Sequence, residues 1–202
     1  CVWRRRPRTH CSHTWAMDAR KMIQALAVAF CTVAAVSMTV DASTETLRFS
    51  EVTGIKERLY IKWRNYNMST TLRCQSAQKN GGEDKNFLYT LRFQPEGRDY
   101  LIPIPTKLTI VREDTAKYSF GPGFPEVERT LIHISSDNSC FILTEDVKGD
   151  KPGCQLVQKD SSIDKGIPDD CKQAYREKCG QEEIDLYQPY CKTLEDKRIP
   201  PK

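Results

Sequence analysis

The sequence predicts a mainly β fold in which eight antiparallel strands close into an up-and-down barrel, followed by one C-terminal α-helix. Strand-like segments recur at short spacing between residues 59 and 159, separated by turn residues. After residue 167 the spacing of the apolar residues changes from the period of a strand to that of a helix. Eight strands are enough to close a barrel that holds one small ligand. A β-sandwich of the same strands stays open as the alternative fold.

The N-terminal part of the chain has the pattern of a secretory signal peptide. An apolar stretch over residues 25–36 follows Arg20 and Lys21, and the small-residue exit Val40-Asp41-Ala42 comes after it. A basic flank, a short apolar centre and a small-residue exit are typical of export signals. We therefore interpret residues 22–42 as a signal peptide that is cleaved after Ala42.

These boundaries leave residues 43–192 as the folded domain, residues 1–21 as an upstream extension absent from the mature protein, and residues 193–202 as a flexible tail. Residues 1–42 carry six of the 31 Lys and Arg and two of the 27 Asp and Glu, so the remaining chain has 25 of each. A formally neutral domain has no electrostatic reason to bind nucleic acid or an anionic membrane surface. No apolar run reaches 18 residues, so we expect no membrane-spanning helix.

The eight predicted strands are short and lie between recognisable turns. They cover residues 59–66, 70–75, 86–93, 100–111, 117–120, 127–135, 140–145 and 154–159. The alternation is strictest in the third strand, where one face carries Phe87, Tyr89, Leu91 and Phe93. Asn80-Gly81-Gly82 is predicted to be the turn before this strand. Pro103 and Pro105 predict that part of the fourth strand is bent or lies at an edge.

The C-terminal helix is predicted from its start, its end and its buried face. Pro168 and the acidic pair after it begin the helix, and Gly180 ends it. The residues of the buried face, spaced i, i+3, i+4 and i+8, are Cys171, Ala174, Tyr175 and Cys179.

Six of the nine cysteines remain after residue 42: Cys74, Cys140, Cys154, Cys171, Cys179 and Cys191. An even number of cysteines behind an export signal predicts three disulfides. The spacing alone leaves all fifteen pairings open. With no Cys-x-x-Cys pair and a single remaining histidine, the spacing does not predict a zinc site.

Several segments together resemble the tick salivary lipocalins of the histamine-binding family. They are Ser139-Cys140-Phe141-Ile142-Leu143, Gly153-Cys154-Gln155-Leu156-Val157, Ile167-Pro168-Asp169-Asp170-Cys171, Ala174-Tyr175, Cys179-Gly180 and the last cysteine, Cys191. The resemblance covers most of residues 45–192 and is strongest over residues 139–191. It implies an eight-stranded lipocalin barrel with a C-terminal helix, secreted in saliva. We expect the protein to be a monomer. It also implies the disulfides Cys74–Cys191, Cys140–Cys171 and Cys154–Cys179.

The resemblance further implies capture of a small host mediator: histamine, serotonin, a leukotriene or another fatty-acid derivative. The amine-binding members typically carry an Asp on the seventh strand and a Glu on the eighth, where this chain has Phe141 and Gln155. An ammonium group taken into a barrel needs a carboxylate partner, because a buried unpaired charge is costly. We therefore expect an apolar or amphipathic ligand such as a lipid.

For this lipid ligand we expect the barrel interior to carry the face of the third strand, Phe87, Tyr89, Leu91 and Phe93, with Phe141 and Gln155 near the mouth. The alternative is that these aromatic side chains simply fill a closed core. A second hypothesis is amine binding through replacement carboxylates at Glu126 and Glu128, before the apolar run of the sixth strand. A third is binding of a host protein, such as a complement component, through the outer surface, although nothing in the sequence marks such a surface.

The sequence does not favour an enzyme. His133 is a lone histidine on a strand, and no second imidazole or Gly-x-Ser-x-Gly motif accompanies it after residue 42. We expect no cofactor and no metal. Asn67-Met68-Ser69 is a glycosylation sequon, which the strand pattern places at a strand end with no evident role in binding.

Overall fold

The computed structural model describes residues 46–148 and 151–197. The expected upstream extension and signal peptide lie outside the described residues. Among the helices of the described part, none is both long and apolar enough to cross a membrane.

The described residues form a mainly β domain. The barrel strands are β1 (Leu59–Arg64), β2 (Arg73–Glu83), β3 (Asn86–Gln94), β4 (Tyr100–Arg112), β5 (Thr115–Ser119), β6 (Glu126–Ile134), β7 (Cys140–Glu145) and β8 (Gly153–Lys159). The helices are α1 (Phe49–Gly54) before the barrel, α2 (Asp169–Cys179) after it, and short 3-10 helices at Ile163–Lys165 and Pro189–Lys192. Two-residue strands near the C-terminus are β9 (Ile184–Asp185) and β10 (Glu195–Asp196).

The eight strands form a closed ring, because each pairs antiparallel with its neighbours and the last returns to the first. Leu59 of β1 lies opposite Ala77 of β2 on one side and Lys159 of β8 on the other. Pairing of β4 with β5, where Thr109 lies opposite Lys117, completes the ring. This closure confirms the predicted up-and-down barrel and excludes the sandwich, in which two separate sheets pack face to face.

The turn between β2 and β3 lies later in the chain than Asn80-Gly81-Gly82, where the sequence predicted it. β2 continues through both glycines, and Asp84, with a φ of 53°, lies in the turn instead. Gly82 has a φ of 100°, and a Cβ atom there would lie 2.3 Å from the carbonyl oxygen of Asn86. The glycines therefore allow β2 and β3 to approach closely, and they lie beside a register shift in the ladder between these two strands.

The two prolines of β4 lie where the strand has one partner. Pro103 and Pro105 pair with β3, whereas the ladder between β4 and β5 begins only at Thr109. A proline has no N–H to donate, so it is tolerated where no second strand needs one. The barrel as a whole is closed, but β4 is longer than β5. The part of β4 that extends past β5 is unpaired on that side, and this part holds the two prolines.

Helix α1 closes one end of the barrel. The backbone N–H of Phe49 donates to the carbonyl of Glu113 in the β4–β5 turn, and Lys79 Nζ donates to the carbonyl of Thr53. Phe49 and Val52 are buried and pack with the inward-facing residues of the strands. The opposite end of the barrel carries the loops over residues 65–72 and 120–125 and is the open end.

Helix α2 packs on the outside of the barrel against β6, β7 and β8, and two disulfides hold it there. Cys140–Cys171 joins it to β7, and Cys154–Cys179 joins it to β8. The third disulfide, Cys74–Cys191, joins β2 to the C-terminal segment. This is the pairing that the resemblance implied. The helix bounds also agree with the predicted start after Pro168 and end before Gly180.

Residues 193–197, the described part of the expected flexible tail, are ordered by contacts with the barrel. β10 pairs in parallel with the start of β4, and the backbone N–H of Lys197 donates to the carbonyl of Leu101. Asp196 accepts from Arg92 Nε at 2.8 Å. The sequence interpretation missed this contact because charged residues near a chain end look solvated, whereas the buried guanidinium of Arg92 needs a carboxylate partner.

The disulfide that closes the longer loop should contribute more to stability. The chain-entropy relation gives a loss of about 4.9 kcal/mol for Cys74→Ala/Cys191→Ala, with a sequence separation of 117, and about 3.5 kcal/mol for Cys154→Ala/Cys179→Ala, with a separation of 25. Denaturation by guanidinium under non-reducing conditions measures both free energies of unfolding. An equal or reversed order would show that loop length does not govern these contributions.

Candidate ligand-binding cavity

The barrel contains a cavity of about 410 Å³. This volume falls within the range of about 300–1,000 Å³ that is typical of small-molecule sites. The deep wall is apolar and includes Phe49, Val52, Leu108, Phe141, Leu143 and Val157. The interior is therefore not completely filled by its own side chains.

The cavity opens between two loops. Asn67, Thr70 and Leu72 line it from the β1–β2 loop, and Phe120 and Phe124 line it from the β5–β6 loop. Phe124 is 60% exposed, so an apolar residue lies at the rim. The mouth thus offers aromatic contact to a guest before the guest reaches the interior.

Arg64, at the end of β1, is buried in the cavity wall beside the mouth and is only 7% exposed. Its guanidinium donates to the backbone carbonyls of Tyr66, at 3.0 Å, and Asn67, at 3.4 Å, and to Gln75 Oε1 at 3.3 Å. All three acceptors are neutral, and no Asp or Glu of the described residues forms an ion pair with it. Burial lowers the pKa of Arg64, an effect that nearby Tyr66 and Glu145 partly offset, yet an arginine stays charged in a protein.

A second arginine in the cavity wall is paired. Arg129 Nε lies 2.5 Å from Glu145 Oε2, and both side chains are about nine-tenths buried. The guanidinium of Arg129 also stacks over the ring of Tyr118 at 4.2 Å from its centroid. The charges of this pair cancel, so Arg64 leaves a local excess of positive charge near the mouth.

Two further polar side chains line the same end of the cavity. The amide of Gln155 donates to the hydroxyl of Tyr66, and Gln155 lies opposite Arg64 in the ladder between β8 and β1. Burial raises the pKa of Tyr66, which therefore stays a neutral phenol. The polar groups of the cavity thus cluster near the mouth, with apolar wall beyond them.

Four of the expected site residues line this cavity: Tyr89, Leu91, Phe141 and Gln155. Phe141 lies deep in the cavity instead of near the mouth, because β7 runs from the closed end towards the open end. Phe87 and Phe93 are not among the lining residues. Phe87 packs in the core with Lys79 Nζ 4.5 Å from its ring centroid, and Phe93 packs against Phe120 at 5.6 Å between centroids.

The two carboxylates expected to serve an amine lie outside the barrel. Glu128 pairs with Arg112 at 3.0 Å, and Glu126 pairs with Lys117 at 3.0 Å. The alternation of β6 explains the difference, since Val127 and Arg129 point into the cavity and the residues between them point outward. The carboxylate that does line the cavity is that of Glu145.

The sequence interpretation missed Arg64 because a bulge breaks the alternation of β1. The register with β8 shifts between Ile61 and Trp63, so Lys62 and Trp63 both point outward. Lys62 donates to Asp185 at 2.7 Å, and Trp63 packs on Tyr175 of α2. Ile61 and Arg64 then share the inner face. An inward arginine at a strand end carries no sequence signal unless the bulge is known.

Breaking the buried pair should destabilise the protein strongly. Glu145→Gln removes the carboxylate partner of Arg129, and an uncompensated buried charge costs about 3 kcal/mol. Glu126→Gln is the matched control, because its pair with Lys117 is exposed and contributes less than about 1 kcal/mol. Urea denaturation of both variants measures the difference. Similar small losses in both would contradict the burial of this pair.

Comparisons with known proteins agree with this geometry. A model of the tick histamine binding protein family matches residues 39–193. Japanin from Rhipicephalus appendiculatus, solved with cholesterol, has a TM-score of 0.53 at 10% identity, over 66% of this chain and 95% of japanin. AM182, solved with serotonin, has a TM-score of 0.51 at 17% identity, over 67% of this chain and 85% of AM182. No curated protein matches the sequence.

The two structural likenesses concern the fold, since both identities are low. The family match covers most of the chain, including all eight barrel strands and α2. It confirms the resemblance noted over residues 139–191. The protein is therefore a member of the tick histamine-binding protein family, with an eight-stranded lipocalin barrel.

Proposed function

We propose that the protein sequesters a small amphipathic lipid with an anionic head group, such as a fatty acid or a leukotriene, inside its barrel. The observation that carries the proposal is the buried guanidinium of Arg64, which has no carboxylate partner among the described residues. A ligand carboxylate beside it compensates a charge that the protein itself leaves uncompensated.

The distribution of apolar and polar groups supports a lipid in one orientation. The head group would lie near the mouth, within reach of Arg64 and the amide groups of Gln75 and Gln155. The chain would lie against the apolar wall that ends at Phe49 and Val52 of α1. Burial of the chain supplies most of the affinity, at about 25 cal/mol per Å² of apolar surface, and the charged contact supplies the selection for acids.

A biogenic amine is the alternative, and Glu145 is the observation that favours it. The carboxylate of Glu145 lines the cavity, but Arg129 already neutralises it. An ammonium group would have to displace Arg129 from that pair while lying near a second cation at Arg64. The electrostatics therefore favour an acid over an amine.

The setting we propose is tick saliva, where the protein would be secreted and would bind a mediator of the host. Family membership supports this setting, and so do the three disulfides, which form and persist in oxidising compartments.

Replacing Arg64 should separate binding from folding. Arg64→Gln keeps hydrogen-bonding capacity but removes the charge, so we expect the Kd for oleate to rise about ten- to a hundredfold. Stability should change by less than about 1 kcal/mol, because a buried uncompensated cation is lost together with its hydrogen bonds. Competition with a fluorescent fatty acid measures the affinity, and thermal unfolding measures the stability.

Arg112→Gln is the matched control, since Arg112 lies outside the barrel and should leave oleate binding unchanged. Calorimetric titration with serotonin tests the alternative. Tight serotonin binding that Glu145→Gln abolishes, with no oleate binding, would replace the lipid proposal. Oleate affinity that is equal in the Arg64→Gln variant would remove the proposed role of this arginine.

We also propose that Asn67 carries an N-linked glycan. Asn67 is exposed, has a φ of 49°, and its carbonyl accepts from the N–H of Thr70 at 3.1 Å in a turn. The side chains of Asn67 and Ser69 form no hydrogen bond within the described residues, so a sugar on Asn67 breaks no contact seen there. A sequon in an exposed turn at the cavity rim suits a bulky polar modification.

The glycan is tested with two changes at the third sequon position. Ser69→Ala removes the acceptor motif while keeping Asn67, whose left-handed conformation asparagine tolerates well, and Ser69→Thr keeps the motif. Mass spectrometry of protein secreted from insect cells should show sugar on the parent and on Ser69→Thr but not on Ser69→Ala. Equal masses after correction for the substitutions would contradict the proposal.

A further inference from the structure

The hydroxyl of Tyr89 is buried in the cavity wall and has no hydrogen-bond partner among the described residues. The residue is 4% exposed, and its ring packs in the apolar core. Thr106 lies directly opposite on β4 but donates its own hydroxyl to the carbonyl of Ser119 at 2.9 Å. Buried hydroxyl groups are almost always hydrogen-bonded, because an unmet one is costly. The phenol of Tyr89 is therefore an unmet donor within the wall of the cavity.

Tyr89 lies well below the head-group site. Arg64 donates to Gln75 of β2, and Lys79, four residues further along β2, lies opposite Tyr89. Four residues of strand span about 13 Å. A ligand atom that hydrogen-bonds to Tyr89 would therefore lie part-way along the chain of the ligand and not in its head group.

The surroundings of Tyr89 make this contact selective. Leu91 lies on the same face of β3 as Tyr89 and nearer to the mouth. Leu108 of β4 lines the same region of the cavity. Burial raises the pKa of Tyr89, so the phenol stays a neutral donor at physiological pH. A fully saturated chain would leave the donor unmet, whereas a chain with one oxygen at this depth would satisfy it.

We propose that Tyr89 is a specificity-determining residue that hydrogen-bonds a hydroxyl or carbonyl oxygen part-way along the ligand chain. The inference rests on the proposed function and narrows it to oxygenated long-chain acids. Such a ligand has its carboxylate beside Arg64, its mid-chain oxygen beside Tyr89 and apolar carbon along the rest of the wall.

Tyr89→Phe tests the inference, because it removes one oxygen and keeps the ring. Ricinoleate and oleate are the matched probes, since they differ by a single mid-chain hydroxyl. We expect the parent protein to bind ricinoleate about three- to tenfold more tightly than oleate. The variant should lose this preference through weaker ricinoleate binding, with oleate affinity unchanged or improved.

Tyr190→Phe is the control of the same chemistry, since Tyr190 is exposed on the outer surface and bonds Gln94. It should leave both affinities and their ratio unchanged. Thermal unfolding should show that Tyr89→Phe is at least as stable as the parent, because an unmet buried hydroxyl is removed.

The outcomes separate this inference from the proposed function. Oleate binding that depends on Arg64, without a preference for ricinoleate or with a preference that Tyr89→Phe retains, overturns the role of Tyr89 and leaves lipid binding intact. Absence of binding of both acids to the parent overturns the proposed function, and the inference with it.

Discussion

Closure of the hydrogen-bonded ring is the constraint on which the rest of the structure depends. Once β8 returns to β1 and β5 pairs with β4, every strand must present alternate side chains to a common interior. Phe49 and Val52 of α1, with Phe87 beyond them, fill the closed end. Towards the other end the inward side chains do not meet across the barrel, and a cavity remains. Eight strands thus leave room for a cavity, and the inward side chains near the mouth leave that room unfilled.

The charges near the mouth make the two ends of the cavity chemically different. Arg129 and Glu145 neutralise each other, whereas Arg64 depends on neutral acceptors. The protein bears the cost of a buried cation at the mouth of the cavity, and hydrophobic burial elsewhere offsets that cost. The same arginine lies on an inner face only because β1 bulges after Ile61. A local irregularity of one strand therefore decides that a cation, Arg64, lines the cavity near its mouth.

The sequence predicts the architecture better than it predicts the site. Apolar alternation, two prolines and the spacing from Cys171 to Cys179 were sufficient for most of the strands, the one-sided pairing of part of β4 and the buried face of α2, because each reflects local geometry. They were not sufficient for β2, which continues through the glycines that look like a turn. Alternation also placed Tyr89 and Leu91 correctly. It could not reveal the bulge that turns Arg64 inward, or that Glu145 instead of Glu128 faces the interior, because both depend on strand register. Register is fixed by pairing across the whole ring.

The prolines of β4 lie in a part of the barrel wall where one side of the strand has no backbone pairing. From residue 102 to residue 108 this strand has no ladder partner on the side of β5, and the hydroxyl of Thr106 bridges to Ser119 there. The wall therefore has a seam beside the aromatic loop that holds Phe120 and Phe124. Widening the barrel along this seam would therefore break the Thr106–Ser119 hydrogen bond but no backbone rung between β4 and β5, which makes it the least cross-linked part of the wall.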